Sequence, residues 1–344
     1  MKLLLDTITS LYDIGPITAS DRVATGFLSE NHVVSSGAGR FFLKKYRFAE
    51  AAKIRRIHAS KSFFSQGGIP IIMPLTTKDG ATFFTHESAH FALFPYIAGQ
   101  HSDRKRLTPR ASASLGRMLG LIHLCGADCA LDADPADKPG NRTPNLEQIE
   151  LLLSKARCAP VPGDFDRTAI EILEIKRSFA ESAPHTTYSA PANDHLLHGD
   201  YHDANVFFDG RNEVAHVFDL EKTGYGPRTD EIFRAMTYSL ICGDSVADVL
   251  AKAEAFMDAY RGIYPISDEE IIDGLQIFIH KHMRDNWVET EHYLRGNTRV
   301  DVLARFELTR LQFLTAHLPD LIARLTRRQN RAIISRTIPG IRRA

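Results

Sequence analysis

The segment Leu197-His198-Gly199-Asp200-Tyr201-His202-Asp203-Ala204-Asn205-Val206 constrains this chain more than any other. Fourteen residues beyond Asn205 a second acid, Asp219, closes the apolar run 214–218 and leads into Leu220-Glu221. The form is HxDxxxxN followed by DxE. Residues 206–208 and 214–218 are short β-compatible runs separated by the turn Asp209-Gly210-Arg211-Asn212, so a hairpin is expected that carries Asn205 at one end and Asp219 at the other. Loops at the ends of one hairpin can face the same ion. Magnesium demands hard oxygen ligands and keeps several waters, so an Asn and an Asp suffice when phosphates complete the shell. In phosphoryl transfer a further carboxylate orients the attacking hydroxyl and takes its proton. Asp200 is the candidate for that role, Asn205 and Asp219 for the metal, and Glu221 either assists the metal or caps the loop.

Upstream, the first ninety or so residues read as strand-rich. Runs 33–36 and 40–46 flank Gly37-Ala38-Gly39, a hairpin signal whose glycines are free to take positive φ. A helix over 48–65 ends at Gly67 and Gly68, and strands are expected at 69–75 and 82–85, joined by Lys78-Asp79-Gly80, before the apolar run 91–94. Helical periodicity then takes over. Thr108 is placed as an N-cap with Pro109 at the first helical position, and Leu115, Met118, Leu119 and Ile122 share a face. The Asp- and Pro-rich stretch 128–144 reads as an exposed loop, and Ser267-Asp268-Glu269-Glu270 as a capping box ahead of a helix carrying Ile271, Leu275, Phe278 and Ile279. The expected class is α+β: a small antiparallel-sheet lobe over 1–95 and a larger, mainly helical lobe over 96–344.

Four blocks carry a resemblance: Gly26-Phe27-Leu28-Ser29-Glu30-Asn31; Phe42-Leu43-Lys44; Phe91-Ala92-Leu93-Phe94-Pro95-Tyr96-Ile97-Ala98-Gly99; and HGDYHDAN with FDLE. Together they make the chain similar to the aminoglycoside phosphotransferase and choline kinase superfamily, most of all to the branch of type II homoserine kinases and stress-response Ser/Thr kinases. The resemblance implies a bilobal protein-kinase-like fold with ATP and Mg2+ between the lobes. By position it implies that Gly26, Ser29 and Asn31 lie over the phosphates and that the backbone of Phe94 to Tyr96 pairs with adenine. Asp230 would brace the catalytic loop. Lys44, ending an apolar strand, is the expected ligand of the α- and β-phosphates, paired with Glu50 at the next helix start; Lys45 replaces it if the strand phase shifts by one. The reaction implied is γ-phosphate transfer to a hydroxyl of a small molecule, homoserine-like or aminoglycoside-like. A stress-response Ser/Thr protein kinase would use the same parts. A nucleotide-binding pseudokinase would require a lost catalytic part, and the main ones are all present.

Composition excludes other classes. Lys plus Arg equals Asp plus Glu at 42 each, leaving no net field to gather nucleic acid or acidic lipid. Four cysteines at 125, 129, 158 and 242 form neither a disulfide framework nor a zinc set, which fits a reducing cytoplasm; separately, a monomer or homodimer is expected. Asp6 interrupts the first apolar run, and no 18-residue apolar stretch follows. Several side chains have quieter readings. His198 reads as a backbone brace rather than an acid or base. His202 does not complete a zinc pair, because Gly199 and the following strand argue against a helix there. Asp285, Glu289 and His292 read as a solvated helix face in preference to an ammonium site, and the tail from Arg324, with seven arginines, as a surface helix and frayed terminus.

Overall fold

In the computed structural model, residues 2–23, 30–99, 107–127, 129–133, 146–158, 161–182 and 195–326 are described. The order of elements is α1 (Lys2–Leu11), β1 (Ile17–Arg22), β2 (Asn31–Ser36), β3 (Gly39–Lys45), α2 (Ala51–Gln66), β4 (Phe84–His86) and β5 (Ala89–Pro95). After them come α3 (Pro109–Gly126), α4 (Leu146–Arg157), α5 (Asp164–Ser182), β6 (His195–Leu197), β7 (Val206–Phe208), β8 (Val214–Val217) and β9 (Gly224–Gly226). The helices α6 (Arg228–Leu240), α7 (Val246–Arg261), α8 (Asp268–Met283), α9 (Trp287–Arg295) and α10 (Ala304–Leu325) follow. The class is α+β, as expected. Most of the loop at 128–144 and of the arginine-rich tail lies outside the described residues.

The first part is a five-stranded antiparallel sheet in the order β1-β2-β3-β5-β4. Alternation along the strands gives it two apolar faces. Val34, Leu43 and Leu93 meet Leu4, Ile8 and Tyr12 of α1 and its end, while Phe42, Ala92, Phe94 and Tyr46 meet Ile54 of α2. The β2–β3 turn is as short as its glycines allow: Ser36 faces Gly39, whose φ is +130°. Helix α1 and strand β1 were not foreseen. The run MKLLLD is too short to show a period, and only the sheet face it covers reveals why it is helical.

The expected strand at 69–75 does not form. Pro70 and Pro74 lack the N–H that a ladder needs. Instead Ile71 makes a lone parallel bridge to Val217, with Ile72 N–H donating to the Val217 carbonyl at 3.0 Å and Val217 N–H to the Pro70 carbonyl at 2.9 Å. That segment ties the sheet to the β7–β8 hairpin. The expected helix at 48–65 starts instead at Ala51, with Glu50 as its N-cap residue.

In the helical part α3 and α7 cross very closely. A Cβ on Gly116 would come within 2.0 Å of the Phe256 carbonyl oxygen, so only glycine fits. Ser112 Oγ donates to the Lys252 carbonyl at 2.7 Å across the same contact. The expected caps are present: Thr108 accepts from Ala111 N–H, and Ser267 with Glu270 makes a reciprocal capping box. No helix among the described residues is long and apolar enough to cross a membrane.

His58 of α2 joins the layers of the sheet part. Its ring is hydrogen-bonded to Tyr46 Oη and to Thr82 Oγ1, each at 2.7 Å, and burial pushes its pKa down to about 3, with Lys61 and Lys44 adding to the effect. The unfolded chain protonates near the ordinary value and the folded chain does not, so this residue's contribution is lost as pH falls from about 6.5 toward 3. Replacing His58 with Gln should flatten the fall in stability between pH 7 and pH 5 by up to about 1.4 kcal/mol per pH unit. Urea denaturation of both proteins at the two pH values checks this.

Candidate active site

Strand β6 pairs with β9 and delivers the chain into a loop with a forced geometry. Gly199 has φ +85°, and a Cβ there would meet the Lys222 carbonyl oxygen at 1.9 Å. His198 is wholly buried. Its Nε2–H donates to the Phe218 carbonyl at 2.8 Å, and Nδ1 accepts from Asp200 N–H at 3.2 Å, a pair of bonds that fixes the tautomer. Burial lowers its pKa against the opposing pull of Glu231, so the ring stays neutral. It links the loop to the strand end that carries Asp219.

The acid that braces this loop is Glu231, not Asp230. Its carboxylate accepts from the backbone N–H of His198 at 3.1 Å, of Gly199 at 2.5 Å and of Tyr201 at 3.3 Å, and from His123 Nε2 at 3.1 Å. Burial pushes this carboxyl up, but the bond and charge of His123, with the histidine and backbone partners beyond it, hold it below the ordinary range. Asp230 turns away to Lys281, at 2.7 Å. Adjacent helical positions differ by about 100° in direction. A sequence of two acids therefore leaves the inward one open.

Asp200 Oδ1 accepts from Arg234 Nε at 2.8 Å and also from its Nη2, while Oδ2 accepts from Lys222 Nζ at 2.9 Å. Burial acts to raise this carboxyl; Arg234 and Lys222 outweigh it and hold it far below the usual carboxylate range. Asn205 Nδ2 donates to the Asp200 carbonyl at 2.8 Å, which leaves its amide oxygen for another partner. Phe218 N–H donates to the Asn205 carbonyl at 3.0 Å, so the hairpin does bring the Asn205 and Asp219 ends together. Asp219 sits at φ +63°, a conformation that Asp and Asn tolerate better than bulkier residues.

Lys44 Nζ meets Asp219 Oδ1 at 2.6 Å and Glu221 Oε1 at 2.8 Å, and Arg47 reaches the other Glu221 oxygen at 3.4 Å. Burial would lower the Lys44 pKa, but Asp219 and Glu221 raise it above the ordinary value. The expected pairing of Lys44 with Glu50 is absent. Glu50 is exposed at the N-cap of α2, and α2 itself holds no acid, so the carboxylates on Lys44 come from the far side of the site. Lys45 faces the other way and pairs with Glu30 at 3.0 Å.

Gly26 and Ser29 lie outside the described residues. Asn31 starts β2 directly opposite Lys44, with a buried Oδ1 that has no hydrogen-bond partner among the described residues. Phe94 turns its ring into the sheet–α2 layer, and Tyr96 donates its N–H to the Arg40 carbonyl at 3.3 Å while the Arg40 guanidinium stands 4.0 Å from its ring. Residue 99 presses on the β7–β8 hairpin: a Cβ on Gly99 would overlap the Phe207 ring at 2.3 Å. Behind Phe94 lies Lys61, only 4% exposed, bonded to the Ile72 carbonyl at 3.3 Å and 5.3 Å from the Phe94 ring. Burial, with Lys44 adding to it, pushes the Lys61 ammonium down to about 7. Sequence reasoning missed Lys61, Lys222, Glu231 and Arg234.

The donors that could hold a metal are the Asn205 amide oxygen and the carboxylates of Asp219 and Glu221, all hard oxygens and therefore suited to Mg2+. Among the described residues no group of three or more His, Cys, Asp or Glu is placed to hold an ion by itself. Asp285, Glu289 and His292 do not make one solvated helix face: Asp285 is exposed in the turn ahead of α9, whereas Glu289 is buried and His292 half-buried on α9. Glu289 is fully buried near Lys176, Asp285 caps the Trp287 N–H at 3.0 Å, and His292 stacks on Phe165 and bonds Asp301 at 2.8 Å.

Residues 21–266 match the model of the phosphotransferase enzyme family. The chain is 23% identical over 266 residues to a homoserine kinase of Methylobacillus glycogenes, covering 75% of each chain. It is 26% identical over 280 residues to a homoserine kinase of Gluconacetobacter diazotrophicus, covering 77% of this chain and 78% of that one. Among solved structures it resembles a microcompartment-associated aminopropanol kinase at TM-score 0.62 and 14% identity, over 95% of this chain and 100% of the other. An amicoumacin kinase in complex with AMP-PNP and Ca2+ matches at TM-score 0.61 and 17% identity, over 90% and 93%.

Glu231 and Asp230 can be told apart by substitution. Glu231→Gln should destabilise the protein by about 3–5 kcal/mol, the cost of breaking a buried charged network, whereas Asp230→Asn, at a part-exposed pair, should cost under about 1 kcal/mol. Thermal and urea unfolding of the two variants measures the difference.

Proposed function

Since this chain belongs to the phosphotransferase enzyme family and is an ATP-dependent phosphotransferase, we propose that Asp200, Asn205, Asp219 and Lys44 divide the transfer of a γ-phosphoryl group to a small alcohol among them. The observation that carries this reading is the convergence of the Asp200 loop and the Lys44–Asp219 pair on the two ends of one hairpin.

In the proposed reaction the acceptor oxygen forms a bond to the γ-phosphorus as the bond to the bridging oxygen breaks. The electron pair leaves with ADP, and the hydroxyl proton passes to the Asp200 carboxylate and then to solvent. With Arg234 and Lys222 holding it strongly ionised, Asp200 is a weak base. Its main task is to aim the hydroxyl and take the proton late, which suits a loose transition state that needs little help in deprotonation. Lys44 would exchange its carboxylate partners for the α- and β-phosphates. Asn205, Asp219 and Glu221 would hold Mg2+, which when bound neutralises charge on the phosphates. Gly26, Ser29 and Asn31 would lie over those phosphates, and the backbone of Phe94 to Tyr96 along adenine, with the lobes meeting near residue 95. Glu50 drops out of this set because Asp219 and Glu221 hold Lys44 instead.

The relatives described above are named for small molecules, which supports a compact acceptor such as a homoserine-like amino alcohol, with an aminoglycoside as the second choice. A cytoplasmic setting agrees with that chemistry.

Asp200→Asn should lower kcat by about 10²- to 10⁴-fold, the range of a positioned acid or base, while ATP affinity changes by less than about threefold. Radiolabelled transfer assays and nucleotide titration report the two quantities separately. Unchanged turnover in this variant would overturn the assignment.

A further inference from the structure

Arg310 of α10 is 6% exposed, its Nε is wholly buried, and it has no hydrogen-bond partner or carboxylate among the described residues. Its guanidinium stands 4.1 Å from the centre of the Tyr238 ring. The Arg234 guanidinium stands 4.4 Å from the centre of the same ring, and it is the group that holds Asp200. His282, 6.1 Å from Tyr238 between ring centres, adds a buried Nε2 without a hydrogen-bond partner among the described residues, and burial together with Arg310, Lys176, Arg234 and Lys281 keeps it neutral.

The acids around this cluster face other cations, and Glu289, whose oxygens have no hydrogen-bond partner among the described residues, stands 3.6 Å from Lys176 Nζ. Asp200 is bound by Arg234 and Lys222, Asp230 by Lys281, and Glu307 by Lys176. A desolvated guanidinium without a counter-charge is expensive to keep, and contact with an aromatic face recovers only part of that expense. Arginine also presents a planar fork matched to carboxylates.

We infer that Arg310, with Arg234 and His282 around Tyr238, forms a subsite for a carboxylate on the phosphate acceptor. The inference rests on the phosphotransfer reading above and names the acceptor class: a compact hydroxy acid or hydroxy amino acid, with the hydroxyl at Asp200 and the carboxylate at Arg310. A polycation such as an aminoglycoside would meet Arg234, Lys222 and Arg310 with like charge.

The test compares L-homoserine with 3-amino-1-propanol, which keeps the chain, amine and hydroxyl but lacks the carboxylate. Glycerol 3-phosphate and kanamycin serve as phosphate-bearing and polycationic arms. The wild-type protein should prefer homoserine to aminopropanol by at least about 10-fold in kcat/KM, the scale of one charge-assisted hydrogen bond. Arg310→Met should erase that preference, chiefly by raising KM for homoserine about 10- to 100-fold, and Arg310→Lys should restore part of it. Because the wild-type arginine is buried without a counter-charge, Arg310→Met should also unfold at the same temperature as the wild type or a higher one.

Equal or better use of aminopropanol, kanamycin or glycerol 3-phosphate by the wild type would sink the carboxylate subsite and leave phosphotransfer standing. A marked loss of thermal stability in Arg310→Met would assign the residue to structure instead. Transfer to none of the four acceptors, with ATP still bound, would overturn this acceptor class and the carboxylate subsite while leaving the phosphotransferase family assignment in place.

Discussion

The geometry of the loop from His198 to Asp203 depends on one buried carboxylate. Glu231 gathers the N–H groups of His198, Gly199 and Tyr201 on one side and His123 on the other. A buried charge of this kind is tolerable only when its oxygens are filled with good donors, and here they come from backbone that has no helix or strand to satisfy it. Gly199 makes the bend possible, because the Lys222 carbonyl occupies the space where any side chain would begin. His198 carries the constraint onward to Phe218, so the positions of Asp200 and Asp219 are set by one connected network.

Around that frame the charges of the site are arranged as exchangeable pairs. Asp219 and Glu221 hold Lys44, while Arg234 and Lys222 hold Asp200. Each partner is a group that phosphates, a hard cation or an acceptor hydroxyl could replace at modest cost, since one ionic contact is traded for another. Arg310 breaks the pattern, being a cation with an aromatic ring for company and no carboxylate partner among the described residues. Lys61 is a second buried cation, set behind Phe94 and pushed down to about 7 by burial and by Lys44.

Several features could be read along the chain because their causes are local. The glycines of the β2–β3 turn, the caps at Thr108 and Ser267, and the turn between β7 and β8 each depend on a few adjacent residues. The unforeseen features depend on distant ones. Helix α1 exists because a sheet face needed covering, and residues 69–75 leave the sheet because two prolines deny it a ladder while β8 offers a bridge. The inward acid of α6 was misplaced by one residue, an error that the pair Asp230-Glu231 invites, since either could point at the loop.

The spacing of Asp200, Asn205 and Asp219 needed no structure to be found, because a loop and a hairpin are short-range objects whose ends must lie near each other. The partners of those residues are another matter. Lys44 lies 175 residues from Asp219, and Glu50 was the natural guess only because it was near in sequence. Arg234 and Arg310 reach one ring from two helices that no local pattern relates. An ion pair or a ring contact forms wherever packing brings its members within a few ångströms, and packing is a property of the whole chain. The order of residues thus determined which groups stand together on the loop and the hairpin, and the packing of β3 against the β7–β8 hairpin decided which charges would face them.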